Sequence, residues 1–447
     1  MSVETGSAVA RQKARGRLPV GKVLAVALPL VITTVLWGLS KTREETDWPG
    51  LTFATGSSQL LSLYSIVLMA IALLITVRSR VVEGIYGGLD KSYKLHARLG
   101  EIALTLMLIH LLALIPDTRE RLALFVPFVG AWWKTVATIA IYIFAAQAVM
   151  VYLKSLSYQT WLNVHKWMGV PFVLAGVHAI AAFSDIRDYE PLRTWMLLCI
   201  AIGTVAWTYR TFFYKAMGPR YDYVVAGIAD HGNDMWDLSL RPTDVRMNFE
   251  PGKFAFISVK NVQGIAPEHH PFSISSSPVL RELRISFKVL GDYTKTLTAV
   301  PKGAAVEVYG PFGQFTLHQL GEHRRLLLIG GGIGVTPFLS MLAFEATNDD
   351  FRRLWLFYAV RREQDAVYHA EIENQIASAD SYVDYVKWLS DERGKLTADE
   401  IIRITGPIDD YAIMICGPQA MALALRRQFI ARGIRPNRIV YEDFAFR

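Results

Sequence analysis

The chain has 447 residues, 52% of them hydrophobic, with a formal charge of +7 and two cysteines. That length allows two or three domains, and the apolar content is high for a wholly soluble protein, so a membrane portion is expected. Two cysteines, Cys199 and Cys416, argue against a disulfide framework and exclude an all-cysteine iron–sulfur cluster, which needs four thiolates. The positive charge does not call for nucleic acid. Arg11, Lys13, Arg15, Arg17 and Lys22, then Arg78, Arg80, Lys91, Lys94 and Arg98, stand beside apolar runs, as the inner flanks of membrane helices do.

In chain order, a short N-terminal segment (1–21) precedes the run Val23–Leu39. That run is long enough to stay in a bilayer and lacks a small-residue cleavage site, so it reads as a first span, not a signal peptide. A spanning helix needs roughly 20 mainly apolar residues. Six stretches within 22–215 qualify, at about 22–40, 57–77, 95–116, 132–153, 164–183 and 192–212. The loop 78–94 and the exit through Arg210, Lys215 and Arg220 are basic, whereas the alternate connections are mixed in charge. The positive-inside rule then places the N-terminus and the C-terminal half in the cytoplasm of a multi-pass protein of the cell (inner) membrane.

Four histidines fall in two of these spans, His96 and His110 in the third and His165 and His178 in the fifth. Imidazoles in hydrocarbon are costly and mark function. At about 1.5 Å per residue, each pair is separated by roughly 20 Å along its helix, one ring near each leaflet. His96 is then level with His165 and His110 with His178, the layout of two stacked bis-histidine haem b sites suited to electron transfer. Helix-end hydrogen bonding is the plainer alternative, and a zinc site lacks carboxylate or cysteine partners. One detail resists: 14 steps of about 100° nearly restore the starting face, but 13 steps miss it by about 140°. Gly169 and Pro171 offer a place for a kink.

From residue 218 to 322 short β-type runs recur, at Tyr223–Ala226, Met235–Leu240, Phe254–Val259, Leu283–Leu290 and Ala305–Tyr309, which predicts an antiparallel β-barrel. Over 323–447 the pattern becomes strand–helix alternation, with strands at Leu326–Ile329, Leu354–Val360, Tyr382–Leu389, Tyr411–Cys416 and Arg438–Phe444 and helices from Thr336, about Val367 and about Gln419. That is an α/β doubly wound nucleotide-binding domain. Gly330-Gly331-Gly332-Ile333-Gly334-Val335-Thr336-Pro337 follows its first strand and opens a helix, where backbone amides suit a pyrophosphate. Arg361 and Arg362 end the next strand, where guanidinium groups suit the 2′-phosphate of NADP. In the barrel, His270-Pro271-Phe272-Ser273-Ile274-Ser275-Ser276-Ser277, Gly291-Asp292-Tyr293-Thr294 and Gly310-Pro311-Phe312-Gly313 combine aromatic surface, hydroxyls and close backbone access, as a flavin nucleotide needs.

This ordered set, with the membrane histidines and Cys416-Gly417-Pro418, resembles the ferric reductase and NADPH oxidase superfamily over nearly the whole chain, in a prokaryotic form. The resemblance implies FAD, two haem b groups and NADPH, with NADH as the alternative donor. It implies an isoalloxazine along Pro271, Phe272 and Ser273, FAD phosphates near Ser275, Gly291 and Thr294, and NADPH along Gly331, Gly332, Gly334 and Thr336. Cys416 and Gly417 would stand beside the nicotinamide, and a C-terminal aromatic, Phe446 or alternatively Phe444, would cover the flavin. Electrons would reach an outer-face acceptor, a ferric chelate or O2, the second making the chain a superoxide-producing oxidase. No obligatory partner subunit is evident. The outward connections 117–131 and 184–191 are short beside those of the animal oxidases. A reading of another class is a haem-binding membrane cytochrome or anchor whose soluble half binds nucleotide as a regulatory signal.

Overall fold

The structure, a computed structural model, describes residues 20–42, 53–115, 125–152, 158–182, 185–321, 323–346, 352–378 and 383–442. Two compact units part between Gly218 and Pro219. The first is helical: α1 (Val20–Lys41), α2 (Phe53–Ile75), α3 (Arg80–Tyr86), α4 (Leu89–Leu114), α5 (Trp132–Tyr152), α6 (Tyr158–His165), α7 (Gly169–Ala181) and α8 (Glu190–Thr208). With α6 and α7 counted as one stretch and α8 continued to Met217, six segments are long and apolar enough to cross a membrane.

α2 forms the core of this bundle because it is apolar all round. Leu63, Ile66, Val67, Ala70 and Ile71 are buried with Leu99 and Ala103 of α4 and with Leu192, Met196 and Cys199 of α8. The Ser65 hydroxyl donates to the Ala103 carbonyl at 2.7 Å, satisfying a polar group inside the bundle. At Gly203 a Cβ would lie 2.7 Å from the Phe172 ring and 3.0 Å from the Ala70 Cα, so a hydrogen at this position lets three helices approach. α1 turns Val23, Leu24, Leu28, Val31 and Val35 outward, as a lipid-facing helix does.

Two departures from the sequence expectation have local causes. The basic stretch taken as a loop over 78–94 is largely helical: Ser79 caps α3 through the Val82 amide, Gly87 closes it in the left-handed region, and α4 begins at Leu89 rather than 95. Hydropathy sees the apolar segment, whereas the helix runs on through Asp90, Lys91, Ser92 and Lys94. The fifth span is not one helix. α6 stops at His165, a 3₁₀ turn covers Lys166–Met168, and Gly169 opens α7. Trp207 secures the break: its indole N–H donates to the Lys166 carbonyl at 2.7 Å, and its ring fills the space where a Gly169 Cβ would stand.

The second unit opens with β1 (Arg220–Asp230), β2 (Met235–Pro242), β3 (Phe254–Val259), β4 (His270–Ser273), β5 (Leu283–Lys288) and β6 (Ala305–Phe312). They pair in the order β4-β3-β6-β1-β2-β5, and an Ile274–Ile285 bridge links the ends into a nearly closed antiparallel barrel. Alternation puts Tyr223, Val225, Leu238, Leu240, Ala255, Ile257, Ile285, Val306 and Val308 inside. β1 is longer at both ends than the predicted 223–226 because it pairs along its length with β2 and with β6. A short helix, α9 (Asp292–Leu297), carries the Asp292-Tyr293-Thr294 part of the barrel motif.

β7 (Arg325–Gly331), β8 (Arg353–Val360), β9 (Val383–Leu389), β10 (Ala412–Cys416) and β11 (Ile439–Glu442) form a wholly parallel sheet in the order β11-β10-β7-β8-β9. α10 (Thr336–Glu345) and α11 (His369–Ser378) cover one face, and α12 (Ala398–Thr405) and α13 (Gln419–Ala431) the other. Strand order reverses between β7 and β10, which opens a crevice at their carboxyl ends.

Candidate redox sites

In the helical unit the four imidazoles form two layers. His96 Nδ1 donates to the Ala72 carbonyl at 2.8 Å, near the end of α2, and His110 Nδ1 to the Ser58 carbonyl at 3.0 Å, near its start. The two acceptors are thus roughly 20 Å apart along α2. His178 Nδ1 donates to the Trp133 carbonyl at 2.9 Å on α5. A carbonyl only accepts, so each of these rings carries its proton on Nδ1 and presents a bare Nε2. His96 and His165 face each other with ring centroids 5.9 Å apart and planes at 89°. His110 lies within electrostatic reach of His178. The 3₁₀ turn accounts for part of the angular mismatch in the fifth span: three residues wound at about 120° instead of 100° recover roughly 60° of the 140°.

Arg78 and Arg210, which the sequence marked only as flanking charges, converge on this unit's aromatic cluster. Arg78 Nε donates to the Tyr93 hydroxyl at 2.8 Å, and Arg210 lies 4.5 Å from the Tyr214 ring centroid. Arg80, Lys94 and Arg98 are exposed. Nothing in the local sequence distinguishes the two groups; tertiary packing does.

In the second unit, β7 runs through Gly331 and Gly332–Val335 form a 3₁₀ turn into α10, with Pro337 in its first turn. Gly332 has φ +55° and open space where a side chain would be. At Gly334 a Cβ would lie 2.4 Å from the Cys416 carbonyl oxygen, so only hydrogen permits the two strand ends to meet. The Thr336 hydroxyl donates to the Ile333 carbonyl at 2.9 Å. Cys416 is fully buried opposite Gly330, and burial, aided by the Glu442 carboxylate, pushes its thiol well above the usual range, so the thiol stays protonated at neutral pH. Gly417, with φ +154°, follows it. Arg361 and Arg362 lie just beyond β8, largely exposed, near Asp391 (3.6 Å) and Asp365 (3.7 Å) respectively.

The barrel motif is held from several sides. The His270 ring stacks on Tyr293 at 3.7 Å, and its Nε2 lies 2.8 Å from Glu268. Pro271 and Phe272 continue β4 to Ser273, with Phe272 against Phe287. The Thr294 hydroxyl accepts from the amides of Leu290 and Gly291. Ser275 is buried, its hydroxyl 2.7 Å from that of Ser286 and 3.1 Å from Arg284 Nε. The same Arg284 grips Glu371 of α11 at 2.6 Å, while Tyr368 donates to the buried Asp237 at 2.9 Å, so the barrel motif and the nucleotide domain share one polar seam. Sequence reasoning missed Arg284, Asp237 and Tyr368, which are distant in the chain and carry no motif. Phe444 and Phe446 lie outside the described residues.

Family models match in this order: "Ferric reductase like transmembrane component" over 61–176, "FAD-binding domain" over 222–314 and "Oxidoreductase NAD-binding domain" over 328–427. This is the ferric reductase and NADPH oxidase architecture. The chain joins a membrane-spanning component to FAD- and NAD(P)H-binding domains, and it is an NAD(P)H-dependent oxidoreductase. Ferric reduction oxidase 8, mitochondrial, of Arabidopsis thaliana is 35% identical over 139 residues, 28% of this chain and 19% of that protein. The electron transfer subunit of dihydroorotate dehydrogenase B (NAD(+)) from Bacillus cereus is 30% identical over 216 residues, 48% of this chain and 80% of the subunit. Among solved structures, a flavohemoglobin from Malassezia yamatoensis with bound FAD and heme aligns with 89% of this chain and 100% of its own at 17% identity and a TM-score of 0.52, a likeness of fold.

Proposed function

We propose that this chain carries electrons from cytoplasmic NADPH through FAD and two bis-histidine b-type haems to an acceptor on the outer face of the cell membrane. The observation that carries the reading is the two-layer imidazole set, in which three rings are turned by main-chain carbonyls so that Nε2 is available to iron. The His96–His165 separation of 5.9 Å also fits. At that spacing the two imidazoles would be able to hold one iron between them.

His96 and His165 would hold the inner haem, and His110 and His178 the outer one. The haems carry single electrons, and FAD, when bound, links the two-electron donor to them. For FAD the barrel offers Pro271, Phe272 and Ser273, with Gly291 and Thr294 beyond, and a fitting sign is the buried Ser277 hydroxyl, which has no partner among the described residues. The protein's share in hydride transfer is positioning. Gly331, Gly332, Gly334 and Thr336 would receive the pyrophosphate, and Gly417, beside Cys416, would leave room for the nicotinamide.

A dithionite-reduced difference spectrum with a pyridine–haem count tests this directly; two haems per chain are expected, and a colourless protein would sink it. Arg361 and Arg362 would read the 2′-phosphate, because exposed ion pairs are worth about 0–1 kcal/mol and release readily. Arg361→Ala should raise the KM for NADPH about tenfold and leave NADH within roughly twofold, the scale of one lost charged hydrogen bond. Equal losses for both donors would remove that role. The acceptor is decided by NADPH-fed assays: ferrous chelate formation under argon marks a metalloreductase, and cytochrome c reduction abolished by superoxide dismutase marks an oxidase.

A further inference from the structure

Three of the four membrane imidazoles share one means of orientation, and the fourth does not. His96, His110 and His178 each give the Nδ1 proton to a main-chain carbonyl at 2.8–3.0 Å. Such a bond fixes the ring's rotation about χ2 and its tautomer, and it raises its strength as a ligand. The Nδ1 of His165 is buried and finds no acceptor among the described residues. What it has instead is Trp161, one helical turn earlier on α6, whose ring lies 4.9 Å away at 12° from parallel. Residues four apart share a helix face, so the indole lies alongside the imidazole and limits its rotation. Immediately after His165 the backbone leaves α-helical geometry for the 3₁₀ turn, so the residue closes α6.

We infer that Trp161 is the positioning residue for His165, taking the place of the carbonyl that orients each of the other three imidazoles, and that the inner iron site therefore depends on an aromatic stack. Trp167, six residues further on, has different surroundings. Trp167 packs on Trp207 and Phe212, and Trp161 on a ligand. Removing Trp161 frees the His165 ring without touching the other three anchors.

The inference rests on the haem reading, and the test separates the two. The full-length chain, loaded with haem in nanodiscs, is mixed with excess apomyoglobin, and haem transfer is followed in the Soret band. In Trp161→Ala, half of the haem should leave about tenfold faster or more than in wild type, the usual cost of losing a ligand's support, while the other half leaves at the wild-type rate. The slow half reports that the bundle is intact. Trp161→Phe keeps a stacking ring and should restore slow release, and the low-spin EPR signal of one haem alone should broaden in Trp161→Ala. Wild-type release from Trp161→Ala overturns the inference by itself, and equal acceleration of both halves assigns Trp161 to general packing instead. A wild-type chain without haem overturns the reading beneath it.

Discussion

His110→Ala is expected to leave one haem per chain and to abolish outward electron transfer while NADPH still reduces the flavin. The expectation follows from the two-layer arrangement. His110 is anchored at the start of α2 through the Ser58 carbonyl, and its partner His178 through Trp133, so neither touches the anchors of His96 or the Trp161 stack on His165. Losing support around a ligand already costs about 10- to 100-fold in affinity, so losing the ligand itself should empty the site. Anaerobic stopped-flow should show flavin bleaching by NADPH at the wild-type rate, one haem reduced instead of two, and reduction of an external chelate down at least roughly a hundredfold. Retention of two haems by pyridine–haem assay would refute the assignment of His110.

Gly334→Val is the second large effect, and it falls at the other end of the chain of carriers. A Cβ at this position would lie 2.4 Å from the Cys416 carbonyl oxygen and 2.6 Å from the Gly417 Cα. Both contacts are backbone, so no side chain can yield, and the ends of β7 and β10 must separate. Overpacking of this kind costs about 1–3 kcal/mol or more, and here it also opens the crevice in which a nucleotide would sit. NADPH-driven flavin reduction should fall by at least about a hundredfold, whereas dithionite should still reduce both haems. Gly332→Ala is the useful contrast. Space is open there within the protein, so the substitution leaves the strand ends together and costs the fold only the penalty of φ +55°, about 1 kcal/mol, and thermal stability should stay near wild type. Near-wild-type turnover in Gly334→Val would show that the strand ends do not govern donor binding.

Much of the architecture was legible because it rests on periodicity. Apolar runs marked the six membrane segments to within about six residues, and strand–helix alternation announced a doubly wound parallel sheet. What was missed depended on polar residues that extend helices beyond the bilayer, as at Leu89–Lys94, or on contacts between distant parts of the chain. The break after His165 is the instructive case. Gly169 and Pro171 hinted at a kink, but the 3₁₀ turn and the Trp207 indole that secures it belong to tertiary packing. Arg284 is another such residue. It reads as an ordinary strand arginine, yet it bonds both Ser275 of the barrel motif and Glu371 of the nucleotide domain.

The oxygen atoms that aim His96, His110 and His178 belong to the main chain of residues 72, 58 and 133. A carbonyl is supplied by whichever amino acid occupies the place, so the hydrogen bonds themselves ask nothing of the side chains there, although the Trp133 ring also lies 5.6 Å from that of His178. Only a change that bends the helix, such as a proline, would disturb them. His165 differs, because its support is a side chain: an ancestor that lost the indole would have needed another way to hold that ring.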